Sequence, residues 1–384
     1  MKHYTLKNAK MDGIIMSYCR KWILPLFISG LLVGGVQAVE STDSTDSGLP
    51  LSWDVDVQAE LISNMHGGYR RRSIADGNVH VTATYNTENA DLWANGQFTL
   101  GFIGIDTTSK NANYPGSLQH VSGIQANSAV QLSDLAYQQK FNENLTVRVG
   151  VMDMNSFFNT TTEGFLLLNS AFALYSTLNQ NTLVATFPFP GFGAMLEYDF
   201  DSIGTQIGIF QGDPQHLDTV FGRGYMAIAE VKDNIVLNQD EYLSLLFKAG
   251  AWYYRQPNPF IGKNTYGLYI NPEIHWVADR DREYGVFLQW GAAPQKKNLV
   301  RDYIGAGVHF KALFEERKED SLTLGVANAT IQGARAETVY EIAYAIYLTK
   351  NLNIIPDLQY IIHPRGIYPN AFAGLIRLNF DPLI

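Results

Sequence analysis

Cysteine is nearly absent. Of 384 residues only Cys19 carries a thiol, so no disulfide framework holds this chain together. Charge is scarce too: Asp, Glu, Lys and Arg make up 17% of the sequence, against about 25% in an average soluble domain. Bases are in deficit, with 28 Lys and Arg against 37 Asp and Glu, which argues against nucleic acid as a partner. Beyond residue 38 no run of about 18 uninterrupted apolar residues occurs, so helical membrane spans are not expected. No metal motif, P-loop, zincin helix or nucleophile elbow is present, and no cofactor is implied.

What is there begins with an export signal. Arg20 and Lys21 form a basic region, Trp22 to Val36 an apolar one, and Val36-Gln37-Ala38 a small-residue cleavage site. Met1, Met11 and Met16 can each initiate the chain, and Met16 gives the most ordinary signal length. Residues 1–38 are therefore read as a signal peptide, 39–52 as a flexible periplasmic segment and 53–384 as the folded domain. Cleavage after Ala38 removes the cysteine. It also removes five Lys/Arg and one Asp, leaving 23 bases against 36 acids and a net charge of −13.

The remainder is a succession of alternating segments, most of about eight to thirteen residues, the span of a tilted membrane strand. Sixteen are expected: 54–62, 79–87, 93–103, 130–141, 145–151, 193–200, 204–211, 225–238, 242–254, 265–276, 284–292, 302–311, 321–330, 338–349, 352–362 and 371–380. Short links such as 142–144, 201–203 and 350–351 alternate with longer ones such as 63–78, 104–129 and 152–192. That asymmetry belongs to a bacterial outer-membrane barrel, with tight periplasmic turns on one rim and loops on the other. The fold class is thus all-β: a transmembrane antiparallel barrel of about 16 strands.

The faces agree with a barrel. In 338–349, Tyr340, Ile342, Tyr344 and Ile346 share one side, whereas Val339, Glu341, Ala343 and Tyr347 share the other. The apolar sides are rich in aromatics at strand ends, as an interfacial girdle requires. The polar sides mix small residues with isolated charges, which suits a lumen better than a soluble surface. Residues 152–192 include Phe157, Phe158, Phe165, Leu166, Leu167, Leu168, Phe172 and Leu174, too apolar for solvent. This segment is expected to fold inward, as a short helix, and to narrow the lumen; packing outside on neighbours is the alternative.

Particular residues carry a family resemblance. In order along the chain stand Ser117-Leu118-Gln119, Arg148-Val149-Gly150 with Asp153 and Phe157, Leu167-Leu168-Asn169-Ser170 and Phe210-Gln211-Gly212-Asp213-Pro214. They are followed by Ala229-Glu230, Gly250-Ala251-Trp252-Tyr253, Tyr266-Gly267-Leu268-Tyr269, Gly291-Ala292-Ala293-Pro294, Glu337 to Tyr344 and Pro356-Asp357-Leu358-Gln359-Tyr360. Taken together the chain resembles the carbohydrate-selective porins of the OprB type. The resemblance implies a sixteen-stranded outer-membrane barrel with an inward constriction, passing monosaccharides such as glucose by diffusion. It departs at the end, where Phe380 is followed by Asp381-Pro382-Leu383-Ile384, at Asp134-Leu135-Ala136-Tyr137, where a Trp is common, and at Arg365-Gly366.

A sugar entering a narrow pore gives up hydroxyl hydrogen bonds, each of which costs about 1–3 kcal/mol if not replaced. Arg and carboxylates replace them well, and aromatic rings meet sugar C–H faces. Strand parity makes Asp134, Arg148, Glu230, Lys248, Trp252, Glu341, Asp357, Gln359 and Arg377 the pore-lining candidates. The bland alternative for each is a wall contact that never meets solute. A general or anion-selective diffusion porin is the rival function, and a plugged structural barrel another. Enzymatic chemistry is not expected: Glu337 and Glu341 share a face but lie roughly 13 Å apart at strand rise, beyond a glycosidase dyad. The implied partners are small neutral sugars, outer-membrane lipid and lipopolysaccharide, for a monomer or homotrimer. Arg70-Arg71-Arg72, in an early loop, suits lipopolysaccharide phosphates.

Overall fold

The computed structural model describes residues 48–110, 112–238, 242–255, 264–279 and 282–382. The export signal expected at 1–38 and most of the flexible 39–52 segment lie outside these residues. Sixteen strands form one closed antiparallel barrel: β1 (Leu51–Gly67), β2 (Ser73–Asn86), β3 (Gly96–Thr107), β4 (Ala129–Lys140), β5 (Leu145–Met152), β6 (Gly191–Phe200), β7 (Ile203–Gln211), β8 (Tyr225–Asn238), β9 (Leu243–Arg255), β10 (Thr265–Val277), β11 (Glu283–Ala292), β12 (Val300–Lys311), β13 (Ser321–Ile331), β14 (Glu337–Thr349), β15 (Leu352–Ile362) and β16 (Ala371–Phe380). Each strand pairs with its sequence neighbours, and β16 closes on β1 from Val57↔Phe380 to Gly67↔Ala371. Closure gives every strand two partners, which a wall bathed in hydrocarbon needs. Among the described residues no helix is long and apolar enough to cross a membrane.

Two sequence expectations need correction. The first two strands run longer than 54–62 and 79–87, pairing continuously from Leu51↔Tyr85 to Ser63↔Ser73. Polar residues such as Asn64 and Asp76 ended the expected strands, yet a lumen-facing position accepts them. The arginine-bearing loop is therefore only the five residues 68–72. Gly67 and Gly68 make that sharp turn possible. Both have φ +64°, and a Cβ on Gly67 would sit 1.8 Å from the Asn370 carbonyl oxygen. Second, a proline inside a strand of a closed barrel leaves one ladder bond unmade and leads one to expect a bulge near the rim, yet none accommodates Pro356. The β14–β15 register is the same at Ala343↔Asp357 and Ile346↔Ile354, and the irregularity falls at Tyr347/Thr349. In an antiparallel strand a residue's N–H and C=O point to the same neighbour. Pro356 thus lacks a donor toward β14 alone, and keeps its register with Ile376 of β16.

The outer face is apolar and exposed, with two aromatic bands. Trp53, Phe98, Phe200, Trp276 and Phe380 lie toward the rim of short turns, and Tyr266, Tyr340, Tyr360 and Phe372 toward the other. The core is inside. Residues 108–128 and 153–190 both enter the lumen, the second carrying two one-turn helices, α1 (Ser170–Ala173) and α2 (Ser176–Asn179). Phe158, Phe172, Tyr175 and Leu178 are fully buried there. Their rings meet rings of the wall: Phe158–Phe210 at 6.0 Å, Phe172–Phe287 at 6.0 Å, Tyr175–Tyr269 at 5.7 Å and Tyr175–Tyr303 at 5.0 Å. Burial of each such side chain is worth about 1.5–3 kcal/mol, which is why this segment folds inward.

Candidate functional site in the barrel lumen

An irregular loop has backbone N–H groups without a ladder partner, and a buried carboxylate needs donors. In this lumen each solves the other's problem. The neck of the long loop is closed by Asp153, which accepts from Asn155 N at 2.7 Å and Phe187 N at 2.9 Å. Met154 N also donates to Ala185 O at 2.7 Å. Further along, Glu230 of β8 accepts from Asn159 N at 3.0 Å, Tyr269 Oη at 2.6 Å and Gln206 Nε2 at 2.8 Å. Glu273 of β10 accepts from Thr162 N at 2.7 Å and Glu163 N at 2.6 Å on one oxygen. On the other it accepts from Asn271 Nδ2 at 2.9 Å, with Lys248 Nζ at 3.4 Å.

The series continues around the wall. Glu341 of β14 takes Leu168 N at 2.5 Å and Asn169 N at 3.1 Å. Glu337 takes Leu118 N and Gln119 N, each at 2.7 Å, and Arg365 N at 2.5 Å. Gln359 of β15 donates to Val121 O at 2.7 Å and to Asp357 Oδ1 at 2.9 Å, and accepts from Asn169 Nδ2 at 2.9 Å. Arg377 pairs with Glu60 and reaches Ser122 Oγ at 3.2 Å. Charge-assisted bonds of this kind are about twice as strong as neutral ones. Four wall carboxylates on three strands thereby pin both inward segments against β7 to β16.

At the loop's far side Glu163 receives His275 Nδ1 at 3.0 Å and His309 Nδ1 at 3.1 Å. Burial alone would raise this carboxyl, but the hydrogen bonds and charge of His309 and His275 outweigh it and hold Glu163 below the usual carboxylate value.

The nine sequence candidates separate into two groups. Glu230, Lys248, Trp252, Glu341, Asp357 and Gln359 all point inward but are buried beneath the loops, and Arg377 is locked to Glu60 with its side chain 12% exposed. Asp134 and Arg148 stand on the opposite wall, which the loops leave open. Asp134, 23% exposed, lies 3.6 Å from His80 Nε2, whose own partner is Ser133 Oγ at 2.7 Å. Arg148 bonds Gln138 Oε1 through Nε and Nη2 at 3.1 and 2.6 Å, and its guanidinium rests on the Phe157 ring of the long loop, 4.9 Å from the centroid. Farther toward the short-turn rim Lys232 Nζ meets Glu197 at 2.6 Å and Asp199 at 3.7 Å. Phe157 thus touches the β5 wall at Arg148, and the partly exposed polar side chains of β2, β4, β5, β6 and β8 beside this contact form a polar track along the lumen wall.

Sequence reasoning missed Glu273, Glu163, Glu60 and His80. Glu273, Glu60 and His80 lie at lumen-facing register positions, Glu273 opposite Phe287 and Glu60 opposite Arg377, so strand parity alone marked them, whereas Glu163 sits in the irregular inward loop where parity says nothing. What parity lacked was the partner, a backbone N–H in an irregular loop more than a hundred residues away in the case of Glu273.

The sequence pattern of the family described as "Carbohydrate-selective porin, OprB family" matches residues 71–381. No curated protein matches the chain in sequence. Among solved structures, the high-pH structure of Pseudomonas putida OprB is similar with a TM-score of 0.77, 19% identity, and coverage of 87% of this chain and 94% of that one. The low-pH structure of the same protein gives 0.60 at 17% identity, covering 87% and 93%. A mutant of the Rh. blastica porin gives 0.51 at 11% identity, covering 86% of this chain and all of that one.

Proposed function

The chain belongs to the carbohydrate-selective porins of the OprB family, an outer-membrane class, and on that footing we propose that monosaccharides such as glucose cross it along the polar track of the β2–β6 wall, beside the Arg148–Phe157 contact. The observation that carries this reading is the pinned loop. A sixteen-stranded barrel without it would be a wide aqueous pore; with it, one side of the lumen is filled and the remaining passage is set by fixed side chains. A fixed passage discriminates by shape and by the hydrogen bonds it returns to a desolvating solute, and binding stays weak enough for exit.

In this reading Arg148, Gln138, Asp134 and His80 return hydroxyl hydrogen bonds, and Phe157 holds the Arg148 guanidinium in place from the loop side. Glu230, Lys248, Trp252, Glu341, Asp357, Gln359 and Arg377 act one step back, holding the loop that forms the other bank. Export through the 1–38 segment, short turns facing the periplasm, and a belt of lipid and lipopolysaccharide around the aromatic bands complete the picture. The test is liposome swelling with glucose, together with planar-bilayer current in its presence. Swelling and a glucose-dependent fall in current are expected. Swelling without any sugar block, with strong ion selectivity, would assign a general or anion diffusion porin instead, and no swelling a plugged barrel.

A further inference from the structure

A second cavity lies above this passage, on the rim of long loops. It measures about 410 Å³, within the range of small-molecule sites, about 300–1,000 Å³. It is bounded by the inner ends of β3 and β4, by the inward segment 108–128, and by Pro188 and Phe189 where the long loop returns to the wall. Its lining contrasts with the polar track below. No carboxylate contributes; the polar groups include the amides and hydroxyls of Thr107, Ser109, Gln125, Ser128 and Gln131, beside His120 and Arg365. Phe189, which lines the cavity, is 41% exposed. Two lining amides hold a polar atom with no partner: Gln125 Oε1, an acceptor, and Gln131 Nε2, a donor. An uncompensated buried amide atom costs free energy until a ligand or water meets it.

We propose that this mouth cavity is a carbohydrate subsite separate from the constriction, occupied by an uncharged sugar before it descends past Gln131 to Ser133 and Asp134 on the same strand. The proposal rests on the sugar-diffusion reading and adds a staging point to it. An apolar ring with neighbouring neutral groups that can donate and accept matches a polyol, which presents C–H faces and hydroxyls of both roles. His120 fits the same chemistry. Burial and the nearby Arg365 charge keep its imidazole below the ordinary value, so at neutral pH it is an uncharged group with one donor and one acceptor.

The test uses the full mature chain in planar bilayers, with glucose as probe and current-noise analysis giving its binding constant from the long-loop side. Phe189→Ala and, separately, Gln131→Leu should each weaken that constant by about three- to tenfold, the worth of one ring contact or one hydrogen bond. Sugar-free conductance should be unchanged, because neither side chain holds the loop. Phe189→Tyr should keep the wild-type constant. If both weakening variants conduct normally and bind glucose as the wild type does, the subsite is overturned while sugar diffusion stands. If the wild type itself neither takes up nor is blocked by glucose, both readings fall together.

Discussion

Glu273→Ala is the sharpest probe of how the lumen is narrowed. The substitution removes the acceptor for Thr162 N at 2.7 Å and Glu163 N at 2.6 Å, and the counter-charge of Lys248 at 3.4 Å. Each backbone bond to a charged acceptor is worth about 1.5–3 kcal/mol, so the loop's closed position loses about 3–6 kcal/mol before the stranded Lys248 is considered. At about 1.4 kcal/mol per factor of ten, this favours the open position by roughly a hundredfold to ten-thousandfold. The barrel should survive, because β10 keeps its ladders to β9 and β11 and the heat-modifiable gel shift reports that ladder alone. In planar bilayers the variant is expected to show larger, noisier conductance and to lose glucose block. Glu273→Gln should lie between, since its amide oxygen can still accept from both backbone donors. An Ala variant with wild-type conductance, noise and block would refute the idea that wall carboxylates set the bore.

Three further outcomes follow from the same geometry. A Cβ at Gly325 would stand 2.5 Å from Leu167 Cδ1 and 2.8 Å from Phe172 Cζ, so Gly325→Val should displace the loop at a cost of about 1–3 kcal/mol, seen as raised conductance without a change in barrel melting. Glu163 has a folded-state value below its ordinary 4.5; the contact with His275 and His309 is therefore fully present above that ordinary value and is lost as pH falls through the lowered one. Current noise should accordingly stay flat from neutrality down to the ordinary carboxyl range and rise only below it, whereas Glu163→Gln should be noisy throughout; a rise centred above that range would contradict the assignment. Lys232→Met leaves Glu197 and Asp199 without their cation, so reversal potentials should move toward cation selectivity, and more so at low salt.

How far the sequence reveals such a molecule depends on periodicity. Where a strand alternates, the reading is close: β8, β15 and β16 fall where the pattern puts them, and Asp357 and Gln359 sit on the inner face as strand parity implied. It errs at β1 and β2, where lumen-facing polar residues broke the pattern without breaking the strand. The site was legible by halves. Parity shows that Glu230, Glu341 and Asp357 point inward, but water and loop are both inward, and alternation cannot distinguish them. The apolar run Phe165 to Leu168 foretold that something fills the lumen. Which carboxylate would meet Asn159, Thr162 or Leu168 is fixed by an aperiodic backbone path, and no local pattern encodes that.

The two groups of inner residues also explain how a barrel with so many acids can favour an uncharged solute. Carboxylates on the filled side are consumed by backbone donors and by Lys248 and Arg377, all buried, where they hold the loop and contribute little field to the passage. On the open side the charges come in opposed sets: Asp134, beside His80, with Arg148 nearby; Glu197 and Asp199 with Lys232. Opposed charges a few ångströms apart offer a small ion attraction and repulsion in equal measure, whereas to a hydroxyl each is a strong acceptor or donor. Selectivity for a neutral polyol then needs no dedicated pocket at the narrowest point. In the proposed reading it needs a passage too confined for a full hydration shell, lined by donors and acceptors of opposed sign, and held still by bonds that the solute never touches.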